Sequence, residues 1–145
     1  MLMYGVFYWS MIKSLEHIGI AVKSFENAQE VFDKLFGKEA YKVEKVASEN
    51  VSTLFYKIGN VKVELLEATS DESAIAKFIS KKGEGIHHLA FEVDDIYAEI
   101  ERLKSEGFTV LNETPKDGAD NKLIAFLHPK STNGVLIELC QEREG

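Results

Sequence analysis

One cysteine, Cys140, stands among 145 residues, so no internal disulfide can form and the chain suits a reducing cytoplasm. Positive charge is also short. Seventeen Lys and Arg against 24 Asp and Glu leave a net charge of −7, a surface that repels phosphate backbones and argues against a nucleic-acid partner. Long apolar runs are missing too. Residues 1–12, with Tyr4, Phe7, Tyr8 and Trp9, are apolar but too short to span a bilayer, and they lack the cationic start and cleavage site of a signal peptide. They read as an N-terminal extension, either an upstream start or an extra edge segment, and no membrane partner is expected. The remaining composition, 45% hydrophobic and 28% charged, is that of a soluble domain large enough to bury a core.

Two stretches carry the pattern. In Leu15–Val22, His17, Gly19 and Ala21 alternate with Ile18, Ile20 and Val22; in Ile86–Val93, His88, Ala90 and Glu92 alternate with His87, Leu89, Phe91 and Val93. Each reads as a strand with an apolar face and a second face where a histidine sits beside very small residues. Small neighbours leave space in front of an imidazole that a packed core would fill, which points to a metal or ligand cavity.

After the first strand, Ser24 fits an N-cap, Phe25, Ala28, Val31, Phe32, Leu35 and Phe36 recur at helical spacing, and Gly37 is a natural stop. Strands are expected at 41–47, 51–58 and 61–66, with Gly59-Asn60 turning the last two into a hairpin. Thr69-Ser70-Asp71-Glu72 reads as a capping box opening a linker helix with Ile75, Phe78 and Ile79 on its apolar side, closed by Lys81, Lys82 and Gly83. The order then repeats. A strand, a helix capped by Asp94 or Asp95 with Ile96, Ile100 and Leu103, and strands near 108–111, 122–127 and 135–140 follow, with 115–121 as a polar loop. The fold class is therefore α+β, with two pseudo-symmetric βαβββ modules (13–69 and 84–141) joined by a linker helix (70–83). Together they make one domain over 13–141, a curved sheet around a cleft.

The repeat aligns His17 with His88, and Gly59–Leu65 with Asn133–Leu139. Glu64 and Glu138 fall at matching places, 47 and 50 residues after their histidines. Each lies mid-strand between aliphatic neighbours, so each must reach solvent or be paired inside. If both modules curl around one cleft, His17, Glu64, His88 and Glu138 converge there. Two imidazoles and two carboxylates suit Zn²⁺, Co²⁺, Mn²⁺ or Fe²⁺. A lone strand histidine is more often structural; the repeated set favours a metal. His87 falls on the Leu89 face and reads as a core or hinge residue. His128 either orients substrate or has a loop-facing structural role. Glu92 reads as a solvated rim residue and Cys140 as buried filler. Lys81, Lys82, Lys116, Lys122 and Lys130 read as surface residues, some of which could still serve an anionic ligand.

These motifs resemble the vicinal oxygen chelate superfamily, the glyoxalase/bleomycin resistance/dioxygenase group. Three of them, Glu16–Val22, Asp71–Phe78 running on to His87–Phe91, and Phe126–Ser131 running on to Gly134–Leu139, are similar to the methylmalonyl-CoA epimerase family. The resemblance spans about residues 13–141. It implies one divalent ion per chain (Co²⁺, Zn²⁺, Mn²⁺ or Mg²⁺) held by His17, Glu64, His88 and Glu138, an acyl-CoA substrate, and a homodimer in the cytoplasm. It further implies epimerisation at C2 through a metal-stabilised enolate, with Glu138 as one acid/base group and Glu64 or a water serving the other face. Some family members place a glutamate base where this chain has Thr53, a poor proton acceptor. The same ligand set would serve a glyoxalase I-type isomerase, and a metal-free binding protein of the superfamily is the third reading.

Overall fold

The computed structural model describes residues 12–143, so the N-terminal segment expected as an extension lies almost wholly outside the described residues. Within them run β1 (Ile12–Ala21), α1 (Phe25–Phe36), β2 (Lys42–Val46), β3 (Val51–Ile58), β4 (Val61–Ala68), α2 (Ala74–Lys82), β5 (Gly85–Val93), α3 (Ile96–Ser105), β6 (Lys116–Asp117), β7 (Lys122–Leu127) and β8 (Ile137–Glu142). All eight strands join one curled sheet in the order β2-β3-β4-β1-β5-β8-β7-β6. The α+β class holds. The arrangement is two-fold in kind: β1 pairs parallel with β4, β5 pairs parallel with β8, and β1 and β5 meet antiparallel at the centre.

Alternation decides what each face holds. On the convex side α3 packs Ile96, Ile100 and Leu103 against Val93, Leu127 and Leu139, and α1 packs against Val22, Leu54, Tyr56 and Leu65. Ser24 and Asp95 cap these helices, accepting from the amides of Asn27 and Ala98, and Gly37 ends α1 at φ 69°. The apolar stripe of α1 is narrower than its sequence implied. Phe25, Ala28, Phe32 and Phe36 face the sheet, whereas Val31 and Leu35 are 60% and 68% exposed, because each sits one residue, about 100°, off the buried row.

The linker helix α2 is capped by Ser73, whose Oγ accepts from Ile75 N, rather than by the Thr69–Glu72 box. It covers one end of the concave side, with Ile75, Phe78 and Ile79 against Ala21 and Leu66. The expected strand at 108–111 is only a bridge between Val110 and Leu127. Pairing resumes at Lys116–Asp117, inside the stretch read as loop. Between them Asn112 Oδ1 accepts from Phe126 N at 2.9 Å, so a side chain stands in for a ladder carbonyl, and Pro115 lies just before the edge strand β6, where its missing N–H is harmless.

Candidate active site

The seam between β1 and β5 places the histidines. His17 pairs with Ala90 and Gly19 with His88, while Gly19 and Glu64, and Ala90 and Glu138, are neighbours across the parallel ladders. All four candidate residues therefore reach the concave side, and all are buried, at 4–5% exposure. The room beside Gly19 is filled by His88 itself: a Cβ at Gly19 would lie 2.3 Å from its Cε1.

Three of the four donors share one point. His17 Nε2 lies 3.0 Å from His88 Nε2, and Glu138 Oε1 lies 3.1 Å from His88 Nε2 and 3.7 Å from His17 Nε2. Two ligands about 2.1 Å from one ion and at right angles stand about 3.0 Å apart, so this spacing fits a divalent cation. Glu64 approaches from the other side, its Oε2 3.2 Å from His17 Nδ1. It borders the cluster without joining the three donors, and entering it requires a turn of its side chain or of the His17 ring.

The charge balance also calls for a cation. Burial alone would lower the His17 pKa, but Glu138 and Glu64 outweigh it and push the imidazole up to about 10. Burial raises the Glu64 carboxyl to about 7, with His17 opposing and Glu138 and Glu16 adding to the rise. Glu138, despite complete burial, is drawn well below the carboxylate range by the His17 and His88 charges and hydrogen bonds. Without an ion, the site thus recruits positive charge by protonating its own histidine.

Around the cluster lies a cavity of about 300 Å³. Val51, Thr53, Leu66, Ile124, Phe126 and Leu136 give it apolar walls, and Lys116, Lys122, Glu49 and Asp120 rim it. The two halves are tied across this rim. Lys62 Nζ bridges Glu16, at 2.6 Å, and Asp120; Lys42 Nζ reaches Asp120 at 2.7 Å; and Lys116 pairs with Glu49 at 3.0 Å.

Comparison with known proteins decides the family. The profile of the Glyoxalase/Bleomycin resistance protein/Dioxygenase superfamily matches residues 16–126. The ethylmalonyl-CoA/methylmalonyl-CoA epimerase of Cereibacter sphaeroides is 41% identical, over 90% of this chain and 99% of that one. Methylmalonyl-CoA epimerase from Mycobacterium tuberculosis superposes with a TM-score of 0.88 at 33% identity, over 93% of this chain and 91% of that one. A Streptomyces coelicolor methylmalonyl-CoA epimerase variant in complex with 2-nitronate-propionyl-CoA gives 0.86 at 34%, covering 90% and 95%. This chain belongs to the methylmalonyl-CoA epimerase family.

Several residues of this family member sit where the sequence did not put them. His87, expected on the opposite face, lines the cavity, with its Nδ1 2.9 Å from His88 Nδ1 and its ring edge-on to Phe78. Burial and the neighbouring His88 lower its pKa to about 4. Glu16, given no role, is 8% exposed and holds His17 Nδ1 at 2.5 Å. Lys122, read as a surface lysine, is 9% exposed and points its ammonium to within 3.9 Å of Glu16. His128 lies away from the cavity and caps the short turn at Pro129–Ser131, accepting from Lys130 N. Cys140 is fully buried filler, packed with Ala90 and Ile124, and burial pushes its thiol up. Thr53 is buried on the cavity wall.

Proposed function

We propose that this protein epimerises methylmalonyl-CoA at C2 and does so with a divalent ion at His17, His88, Glu138 and Glu64. The observation that carries the reading is the meeting of His17 Nε2, His88 Nε2 and Glu138 Oε1 within 3.7 Å, inside a cleft of a chain whose relatives are named for that reaction. An ion there would supply the positive charge that stabilises the oxygen of an enolate.

The chain's own residues account for the rest. Removing the C2 proton requires a base inside hydrogen-bond reach, and returning it to the opposite face requires a second group. Glu138 serves one face, its Oε1 lying beside both histidine Nε2 atoms. Glu64 serves the other: it is buried on the opposite side of His17 from Glu138, its Oε2 3.2 Å from His17 Nδ1. Thr53 takes no part in proton transfer. Apolar walls surround the reacting carbon, and the proton returned to C2 comes from a protein group that has itself exchanged with solvent. Among the described residues Cys140 is buried and does not line the cavity, and the lining hydroxyl of Ser73 is engaged in capping α2, so the thioester survives.

No helix among the described residues is long and apolar enough to cross a membrane. A homodimer and a cytoplasmic location complete the reading, the second supported by the lone buried thiol. One experiment tests the reaction. Metal-loaded protein is given a single epimer of methylmalonyl-CoA in D₂O and followed by NMR. The expected result is the opposite epimer with deuterium at C2 and an intact thioester, both stopped by a chelator. No exchange, alongside turnover of the methylglyoxal–glutathione hemithioacetal, would move the assignment to a glyoxalase I-type isomerase.

A further inference from the structure

The seam strands are not regular: their pairing shifts register three times, once at the start of β1 between Ile12 and Ser14 and twice beside the histidines. Along β1 and β5, Leu15 pairs with Phe91 and His17 with Ala90, so Glu16 is an extra residue in β1. Further along, Gly19 pairs with His88 and Ile20 with Ile86, so His87 is an extra residue in β5. Each is a β-bulge, and a bulge turns two successive side chains towards the same side. The two bulges sit immediately before the two candidate metal histidines, one in each half. In a regular strand Glu16 and His87 would point into the convex core, as alternation from His17 and His88 predicts.

What the bulged residues touch is the same in both halves. Glu16 Oε1 lies 2.5 Å from His17 Nδ1, and His87 Nδ1 lies 2.9 Å from His88 Nδ1. With both Nδ1 atoms engaged, the two Nε2 atoms are left facing each other at 3.0 Å. A histidine that ligates through one nitrogen needs its other N–H held, because that bond fixes both the tautomer and the ring orientation. Glu16 is itself held: its second oxygen takes Lys62 Nζ at 2.6 Å, with Lys122 Nζ at 3.9 Å. Glu16 also lies near His17 and Glu64 in a second cluster of potential ligands, but its two oxygens are taken by His17 Nδ1 and Lys62 Nζ, whereas Glu138 Oε1 faces both Nε2 atoms. His87 is braced from behind by the Phe78 ring, centroids 5.0 Å apart.

We propose that Glu16 and His87 are paired positioning residues, which the two bulges deliver to the outer nitrogens of His17 and His88 so that both Nε2 atoms face one ion. The inference rests on the metal reading given above. It also makes the two ligands unequal, since His17 leans on a carboxyl group and His88 on a second imidazole.

The test is metal affinity, measured on metal-free protein titrated with Zn²⁺ against a chromophoric chelator, with the Co²⁺ absorption spectrum as a second readout. His87→Phe keeps a ring but removes the acceptor, and Glu16→Gln keeps the shape but removes the charge. Both should weaken Zn²⁺ binding about 10- to 100-fold and shift the Co²⁺ spectrum. His87→Asn, whose Oδ1 sits where Nδ1 was, should recover most of the loss. If His87→Phe and Glu16→Gln bind Zn²⁺ as the unmodified protein does, with the same Co²⁺ spectrum, the positioning role is wrong and the metal reading stands. If the unmodified protein binds no ion, both fall together.

Discussion

The His88 ring lies directly over the Cα hydrogens of Gly19, so close that a methyl group there would come within 2.3 Å of Cε1 and 2.6 Å of Nδ1. The contact runs across the seam, from one half of the molecule to a candidate ligand of the other. Because His88 is buried between Gly19, Phe126 and His87, the ring has nowhere equivalent to go. Gly19→Ala should therefore displace His88, destabilise the fold by about 1–3 kcal/mol as overpacking does, and lower metal retention. Thermal unfolding with and without Zn²⁺ checks this: the gap between the two midpoints should shrink in the variant.

Metal content is the next expectation. Purified protein should carry about one divalent ion per chain, and His17→Ala or His88→Ala should abolish it, because a lost ligand opens the site to water. Elemental analysis decides, and a His17→Ala protein that keeps its ion would remove His17 from the ligand set.

Binding should also release protons. In the metal-free protein His17 is protonated up to about pH 10 and Glu64 up to about pH 7, and a ligand must be deprotonated to bind. Affinity should rise from pH 6 to pH 9. Calorimetry in buffers of different ionisation enthalpy should count about one proton or more released per ion at pH 7. A release of zero would mean that His17 is already neutral or does not ligate.

Glu138→Gln keeps the size and one coordinating oxygen but removes the base. Turnover should fall by about 10²- to 10⁴-fold with weak metal retention. Thr53→Ala should cost far less. A severe loss from Thr53→Ala with the metal intact would assign that wall a proton-transfer role and overturn the one given to Glu64.

Acid stability should report on Glu16. Burial raises its pKa, but hydrogen bonds and charge from His17 and Lys62 dominate and bring it down from 4.5 to about 2. A carboxyl lowered on folding adds stability that is complete above its unfolded pKa and is lost as pH falls towards the folded one. The metal-free protein should therefore lose stability between about pH 4.5 and pH 2, and Glu16→Gln should flatten part of that slope. Denaturant midpoints across the range, compared between the two proteins, test it.

Most of the site was legible because period-two alternation holds along β4 and β8 and returns in register after each bulge. Lys62, Glu64 and Leu66 lie on one face of β4 as their spacing requires, and the repeat of a histidine followed by a glutamate in each half maps onto corresponding strands. What alternation could not show was the pair of bulges. A register slip reverses the facing of one residue and leaves no mark in composition, so His87 reads from the sequence as a core residue on the Leu89 face, and Glu16 has no role there. The only signal was the polar doublet, Glu16-His17 and His87-His88, at matching positions of the repeat. Lys122 escaped for another reason. Its partner, Glu16, is 106 residues away in sequence, and a buried lysine looks like a surface one until that partner is known. The broken edge strand was hidden because Asn112 replaces a backbone acceptor, a substitution that strand propensity does not register.

Each half of the sheet offers one histidine and one glutamate, and β1 and β5 carry them to a common seam. A lone half would present too few donors for an ion, and two separate halves would have to find each other first. Tethering them through α2 replaces that encounter with a fixed local concentration. At a fixed free-ion concentration, occupancy should then be indifferent to how dilute the protein becomes. The tether also frees the two halves to diverge: a carboxyl group could settle behind one histidine and an imidazole behind the other, an asymmetry that a symmetric assembly of identical chains cannot hold.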